Sequence, residues 1–170
     1  PQPVKGKANL VIQFTGTHND RMYGFYRSTY LIKGKEQRLL TSQFEAANAR
    51  AAFPCFDEPA FKATFDVSLI LPSKWFPISN MLIKKQKALP KGRKQVWFHT
   101  SPKMSTYLLY LGAGDFKFFS TKKGKVLIRV LATPDKIQLG HLALNYTKTF
   151  LQFFEDYFGI PYPLPKVDVI

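Results

Sequence analysis

Short runs of alternating apolar and polar residues fill most of the first 132 positions of the chain. A period of two is typical of a β-strand with one buried face. We predict strands, separated by Gly, Pro, Asn or Asp turns, over residues 10–14, 24–32, 37–42, 61–71, 76–83, 95–100, 107–112, 115–119 and 125–132. Short strands at such spacing favour an antiparallel β-sandwich or curved sheet, and therefore a mainly β fold.

The periodicity changes after this β-rich part. From Leu142 to Tyr157, apolar side chains recur every three or four residues, which is the spacing of one helical face, and no proline interrupts them. Gly159 and then Pro161 provide a C-terminal stop. These signals predict a helix over residues 141–158.

The same change indicates a domain boundary. We expect residues 1–132 to form an N-terminal β domain, truncated at its start, and residues 133–170 to begin a second domain with one helix and a strand. The chain starts at Pro1 rather than Met and ends in Val-Asp-Val-Ile at residues 167–170, which predicts the opening of a buried strand. We therefore expect a segment of a longer protein.

The chain is strongly basic, with 25 Lys and Arg against 11 Asp and Glu and a formal charge of +14. Many of these cations lie in residues 84–94 and 122–125, where Pro and Gly predict turns. We expect strands 76–83 and 95–100 to pair across the first basic stretch as a hairpin with a long tip. Because few aromatics interleave with the charges, solvated hairpin tips are preferred over a nucleic-acid groove.

Chain length, cysteine content and the length of apolar runs limit the possible classes of protein. A chain of 170 residues can bury roughly 70% of its unfolded surface, enough for a core without disulfides. The single Cys55 is compatible with a reducing compartment. No apolar run approaches the roughly 20 residues of a membrane span, and no signal sequence opens the chain. We predict a soluble, cytoplasmic protein without a membrane partner.

The rest of the chain is organised around the loop at residues 43–59. Pro54 and Pro59 lie only five residues apart, which forbids a continuous helix and indicates a fixed, irregular path. The loop leads directly into strand 61–71, the clearest strand pattern, which Pro72 ends. Rigid loops at the edge of a sheet are where binding sites are usually found.

Individual side chains of this loop have structural interpretations. Arg50 precedes Asp57 by seven residues, so the two can tie the loop together as a bidentate pair, and we also assign Glu58 to the scaffold. We interpret Cys55 as a small buried hydrophobe rather than a nucleophile, because no histidine base accompanies it. Taken alone, Glu45 is a solvated loop carboxylate.

The positions of the three histidines indicate whether this segment can form a HExxH zinc site. A HExxH zinc site needs two imidazoles at i and i+4 on one helix, and His18, His99 and His141 lack that spacing. We therefore predict no metal ligand here and interpret His18 and His141 as surface or packing residues.

Four stretches together carry a family resemblance. They are GFYRS at residues 24–28, the loop QFEA…AR…FPCFDEPAFKATF at residues 43–65, MSTYL at residues 104–108, and YFG…YPLPKVD at residues 157–168. In this order they resemble the zinc aminopeptidases that carry the GAMEN and HExxH motifs. The resemblance implies a saddle-like N-terminal β domain followed by the start of a thermolysin-like, α+β catalytic domain.

The resemblance also implies a role for three loop residues. In the family, the glutamate corresponding to Glu45 accepts the free α-amino group of a peptide substrate, and Gln43 and Ala46 shape the same pocket. It further implies a cis peptide bond between Glu45 and Ala46. A charge-assisted bond of this kind contributes roughly 1.5 to 3 kcal/mol, so a peptide without a free amine would leave the carboxylate unpaired.

By resemblance, the zinc and the residues that use it lie outside this segment, which supplies no catalytic residue and is expected to be inactive alone. Its implied partners are a peptide N-terminus and the rest of its own catalytic domain. Two alternatives stay open: a non-catalytic scaffold or interaction module, and a basic β domain that binds polyanions. GAMEN and HExxH beyond residue 170 would favour the enzyme, and salt-sensitive polyanion binding would favour the last.

Overall fold

The computed structural model describes residues 6–170 and is built mainly of β-strands with one α-helix. The strands are β1 (Gly24–Ile32), β2 (Lys35–Gln43), β3 (Ser68–Pro72), β4 (Phe76–Ser79), β5 (Ile83–Leu89), β6 (Arg93–Phe98), β7 (Leu111–Gly114), β8 (Lys117–Lys123), β9 (Val126–Ala132) and β10 (Lys166–Val169). The helix is α1 (Gly140–Phe158). This confirms the predicted mainly β fold, while the first five residues of the predicted N-terminal domain lie outside the described residues.

Within the described residues the strands form three sheets. The orders are β1-β2-β7-β4, β3-β6-β5 and β10-β9-β8. The first two sheets are antiparallel, whereas β10 runs parallel to β9, with α1 in the connection between them. Parallel neighbours need such a crossover, so β9, α1 and β10 form a βαβ unit.

The β1–β2 hairpin determines where the candidate loop begins. Lys33 and Gly34 have φ of 50° and 75°, the two positive values of a tight turn that matches the twist of its strands. A turn between the strands predicted at residues 24–32 and 37–42 was expected, and the observed turn pairs Ile32 with Lys35. The second strand is longer than predicted and ends at Gln43, the first residue of the loop.

The strand predicted at residues 10–14 is wrong: no strand is present there. Leu10 and Val11 are 84% and 91% exposed. A strand needs a hydrogen-bonded neighbour, and none of residues 6–170 pairs with this stretch. Alternation alone does not supply that partner.

The strand predicted at residues 61–71 is shorter, because β3 begins only at Ser68, although it ends at Pro72 as expected. Upstream, Ala63 exchanges backbone hydrogen bonds with Met104, at 3.0 and 2.9 Å. The Ser101 hydroxyl accepts the next bond, from the Phe65 N–H. A side chain replaces a backbone acceptor there, which interrupts the regular ladder.

The hairpin predicted between residues 76–83 and 95–100 is correct only at its end, where Ile83 pairs with Phe98. β4 pairs with β7 in another sheet, and β6 pairs with β5, which contains the basic stretch itself. Lys91 and Gly92 have φ of 59° and 65°, which allows a tight turn between β5 and β6. The basic residues 84–89 therefore belong to a strand rather than to a loop.

The three strands predicted between residues 107 and 132 are present, but their bounds differ from the predicted ones. The predicted strand 107–112 divides into a 3-10 turn at Thr106–Leu108 and β7. Strand β9 lies close to the predicted range 125–132, whereas β8 shares only residues 117–119 with the predicted range 115–119 and continues into the stretch predicted as a turn.

The predicted helix is confirmed, and Gly159 ends it with φ of 64° in the left-handed region. It packs closely on the third sheet, where a Cβ on Gly140 would lie 3.0 Å from the Cγ1 of Val130.

None of the helices within residues 6–170 is both long enough and apolar enough to span a membrane. The division between residues 132 and 133 stays a prediction; β8 and β9, before it, share a sheet with β10, after it.

Candidate functional site

The loop after β2 buries Phe44 and Ala49 and exposes the residues around Glu45. Phe44 is 1% exposed and packs in one cluster with Ala49. Gln43, Glu45 and Ala46 are exposed on either side of it. The buried ring therefore anchors the chain, and the Glu45 carboxylate lies at the surface.

The backbone around Glu45 is held by local hydrogen bonds. The peptide bond from Glu45 to Ala46 is cis, as predicted. The Asn48 side-chain amide donates to the Glu45 carbonyl at 2.9 Å, and the Glu45 N–H donates to Gln43 Oε1 at 3.2 Å. Within residues 6–170, the Glu45 carboxylate itself makes no hydrogen bond or ion pair, so it can accept one from a ligand.

Asp57 fastens the far end of this loop. Arg50 donates from its backbone N–H and its Nε to Oδ2, at 3.0 and 3.3 Å, and from Nη2 to the Asp57 carbonyl at 2.9 Å. The Thr106 hydroxyl donates to Oδ1 at 2.6 Å. The predicted Arg50–Asp57 pair is confirmed, but the guanidinium divides its bonds between the carboxylate and the backbone.

Asp57 is 5% exposed, and its environment favours the charged form. Burial alone would raise the pKa of its carboxyl, but the hydrogen bonds from Thr106 and Arg50 hold that pKa below its usual value. Glu58, in contrast, is exposed and makes no ion pair within the described chain, so the scaffold role predicted for it is not seen.

The loop also lies directly against β1. Its 3-10 turn at Ala49–Ala51 contacts Gly24, where an added Cβ would lie 3.1 Å from the Cβ of Ala51. Gly24 has φ of 67°, a conformation that glycine adopts readily. This close approach fixes the turn that follows Glu45.

Cys55 is half-buried and packs against the Phe44 cluster. Burial, with a smaller contribution from Asp57, raises the pKa of its thiol. The apolar packing agrees with the interpretation as a small hydrophobe, but the residue is half-buried rather than buried. Beside it lies a mostly apolar cavity of about 620 Å³, near Phe56 and Phe61, which are 83% and 63% exposed.

A second charged cluster, which the sequence did not predict, joins β9 to β10. Arg129 donates from Nε and Nη2 to the two carboxylate oxygens of Asp168, at 2.7 and 2.6 Å, and Lys166 pairs with the same carboxylate. The guanidinium lies 5.6 Å from the ring centroid of Phe76. Burial lowers the pKa of Lys166, and Asp168 partly opposes this effect.

This cluster is hard to find from the sequence because Arg129 and Asp168 lie 39 residues apart. The available signal is the spacing of Lys166 and Asp168, which places both on one face of a strand. Next to them is a cleft of about 400 Å³ lined in part by Asn80 and Tyr110.

The histidines pack as predicted. The His18 ring contacts Phe25 edge-on at 4.9 Å, and the His141 ring stacks on Phe119 at 3.8 Å. Over residues 6–170, no three His, Cys, Asp or Glu side chains lie together in a way that could hold a metal ion.

The basic clusters differ in their surroundings. Lys123, which was predicted to lie in a solvated hairpin tip, forms an ion pair with Glu155 of α1. On the β5–β6 hairpin, the Lys85 ammonium lies 4.7 Å from the ring centroid of Trp97. The Lys123–Glu155 ion pair therefore connects α1 to β8.

Comparison with known families assigns the chain to a family of peptidases. The chain matches the peptidase M1 N-terminal domain over residues 1–108. It therefore belongs to the peptidase M1 family.

Its relatives are aminopeptidases by name. The chain is 43% identical over 165 residues to the alanine/arginine aminopeptidase of Saccharomyces cerevisiae, covering 96% of this chain and 19% of that protein. It is 46% identical over 163 residues to human endoplasmic reticulum aminopeptidase 1, covering 94% and 17%. The Caenorhabditis elegans puromycin-sensitive aminopeptidase is 43% identical over 167 residues, covering 96% and 18%. The chain thus spans less than a fifth of the length of these relatives.

Proposed function

We propose that this chain is part of an aminopeptidase that removes N-terminal residues from peptides, and that Glu45 binds the α-amino group of the substrate. The observation that carries the proposal is an exposed carboxylate, without a partner in residues 6–170, on a loop whose backbone is fixed on both sides. Gln43 and Ala46, exposed beside it, shape the same pocket.

The chemistry of this contact explains why such an enzyme acts at chain ends. An ammonium donates a charge-assisted hydrogen bond to a carboxylate, which contributes roughly 1.5 to 3 kcal/mol. A peptide blocked at its N-terminus offers no such donor and leaves the carboxylate desolvated and unpaired. Discrimination against blocked or internal sites follows.

Zinc is proposed only for the full-length enzyme, where it would polarise the scissile carbonyl. The described residues do not fit a zinc site, because they bring no three suitable ligands together. We propose that the part played by this chain is substrate recognition through Glu45 and that the chain is inactive without the rest of its catalytic domain.

We also propose a cytoplasmic location, with which the single Cys55 is compatible. Relatives whose names refer to the mitochondrion and the endoplasmic reticulum are 44% and 46% identical to this chain.

The test is steady-state kinetics of the full-length protein carrying Glu45→Gln, with an aminoacyl substrate. Loss of the charge-assisted bond is expected to lower kcat/KM by about 10- to 150-fold, the equivalent of the energy above. Zinc content should not change. The matched control is Glu58→Gln, which neutralises another exposed carboxylate of the same loop and should leave kcat/KM near the wild-type value.

Near-normal activity of the Glu45→Gln protein would contradict the assigned role. A wild-type full-length protein without peptidase activity would instead favour the non-catalytic interaction module.

A further inference from the structure

The second sheet, β3-β6-β5, carries positive charge that is not neutralised by ion pairs within residues 6–170. Residues 67–114 contain eight Lys and Arg and no Asp or Glu. Six of these cations lie on β5, β6 and the turn between them: Lys84, Lys85, Lys87, Lys91, Arg93 and Lys94. The ion pairs of the described chain all use other cations, together with carboxylates outside this stretch. The β5–β6 hairpin therefore concentrates uncompensated charge.

The register of this sheet brings an aromatic ring among the cations. Lys85 pairs with Trp97, and its ammonium lies 4.7 Å from the ring centroid. Lys87 pairs with Gln95, which pairs in turn with Ile70, a side chain that is 54% exposed. Paired residues project on the same side of a sheet, and side chains alternate along each strand. One surface results, which we call the basic face: Ile70, Lys85, Lys87, Arg93, Gln95 and Trp97.

The basic face is the outer side of the sheet. Val96, which lies between Gln95 and Trp97 and projects on the other side, is fully buried with Leu71 and Phe98. The cations and Ile70 therefore face away from the core of the described chain.

Strand β5 also forms an edge of this sheet. Among the described residues it pairs only with β6, so the backbone groups along its other side are available for pairing. Positions 83–88 are all exposed. An edge of this kind can accept an extended peptide as an additional strand, in which backbone hydrogen bonds provide affinity and alternate side chains provide specificity.

We propose that β5 and the basic face bind an extended acidic segment of another protein, which adds to β5 as a further strand. Every second side chain of that strand projects on the side of Lys85 and Lys87. The segment therefore carries Asp or Glu at positions i and i+2. This surface lies on a different sheet from the loop that carries Glu45, so the inference goes beyond the proposed function and does not rest on it.

Charge selects this occupant over a second copy of the chain. Edge-to-edge pairing of two copies would place their rows of lysines together, and lysine on an edge strand is a common means of preventing such association. The same lysines attract a strand of opposite charge. The edge is thus closed to its own kind and open to an acidic strand.

The chemistry of the basic face also disfavours a single-stranded nucleic acid. Such a ligand stacks its bases on exposed aromatic rings. Trp97 is the one aromatic side chain among the six of the basic face, and the Lys85 ammonium lies over its ring. Bases also cannot form the ladder of hydrogen bonds that the edge of β5 offers to a polypeptide backbone.

The test is isothermal titration calorimetry of the full-length protein with a short peptide of alternating Glu and Thr, acetylated at its N-terminus and amidated at its C-terminus. Acetylation removes the free amine that the proposed Glu45 site requires, so binding there does not interfere. We expect this peptide to bind several-fold more tightly than one of the same composition in the order Glu-Glu-Thr-Thr, which places half of its carboxylates on the wrong side of the strand.

Variants of the full-length protein locate the site. Lys85→Glu combined with Lys87→Glu should weaken binding by about tenfold or more, because it sets like charges opposite each other. The matched control is Lys122→Glu combined with Lys125→Glu, which makes the same change of charge at two exposed positions around the β8–β9 turn and should alter the affinity by less than about twofold. The Lys85 and Lys87 double variant should instead bind a peptide of alternating Lys and Thr, which shows that its sheet is intact.

Several results would overturn the proposal. They are equal affinity for the two acidic peptides, equal losses in the two double variants, no binding of the Lys-Thr peptide by the charge-reversed protein, or tighter binding of a thymidine oligonucleotide than of the acidic peptide. The Glu45→Gln protein should bind the acetylated peptide as the wild type does. Failure of the amine-binding role therefore leaves this result unaffected.

Discussion

Two buried aspartates hold two parts of this molecule in different ways. Asp57 is bonded to a backbone N–H, a hydroxyl and the guanidinium of Arg50, whose side chain is 58% exposed. The Asp168 side chain is 5% exposed and lies between two cations, Arg129 and Lys166, which are 13% and 4% exposed. One network leaves its cation in water, and the other buries both of its cations.

The difference shows that two ion pairs of similar composition can have different structural roles. Around Asp57, neutral donors share the carboxylate, so the network fixes a local loop and leaves Glu45 at the surface. Around Asp168, one carboxylate offsets the burial of two charges, so its removal leaves both cations without a partner. The first network serves the recognition loop, and the second holds β9 to β10.

The largest expected effect is on stability at the second network. Asp168→Asn should lower the free energy of unfolding by about 3 to 5 kcal/mol, because it leaves buried cations uncompensated. Urea unfolding of the full-length protein measures this change. The matched control is Asp115→Asn, which removes an exposed pair with Lys117 at 2.8 Å and should cost less than about 1 kcal/mol. Equal losses in the two variants would show that burial of the cluster does not matter.

Asp57→Asn should have an intermediate effect. It weakens hydrogen bonds to a charged acceptor, each of which contributes about 1.5 to 3 kcal/mol, while Arg50 can turn to solvent. Because the loop is loosened, kcat/KM of the full-length enzyme should also fall, whereas zinc content stays constant. Glu58→Gln is the control in the same loop. If the Asp57→Asn protein is destabilised but keeps wild-type kcat/KM, the Asp57 network stabilises the loop without affecting substrate recognition.

A smaller effect is expected on the pH dependence of stability. The folded state holds the pKa of Asp57 below its unfolded value of about 3.9, so the unfolded state binds the proton first as pH falls. The contribution of Asp57 is therefore complete above about pH 5 and is lost as pH falls through the folded pKa. Acid titration of the melting temperature should show a shallower decline for Asp57→Asn than for the wild type. Parallel curves would contradict the lowered pKa.

The smallest change is expected for Lys166→Met. Arg129 still pairs with both oxygens of Asp168, and an apolar side chain of similar length avoids the burial of an ammonium. The free energy of unfolding should therefore change by no more than about 1 kcal/mol, as measured by the same urea titration. A loss as large as that of Asp168→Asn would mean that Lys166, rather than Arg129, is the essential partner.

Local features of the site were predictable from the sequence, and distant ones were not. Arg50 and Asp57 lie in one loop seven residues apart, so their pairing follows from short-range geometry. Thr106, which donates to the same carboxylate, lies 49 residues from Asp57 and was missed as a partner. The cis bond after Glu45 came from family resemblance rather than from any periodicity.

By itself, the sequence determined the mainly β class, the β1–β2 turn, the helix with its stop at Gly159, and the family. These depend on periodicity, on turn residues with special φ, and on motifs, all of which act over a few neighbouring positions. Only the tertiary structure decided which strands pair, that residues 10–14 lack a partner within the described chain, and that Arg129 meets Asp168. Those outcomes depend on contacts between distant segments, and a strand pattern specifies a buried face without naming the neighbour.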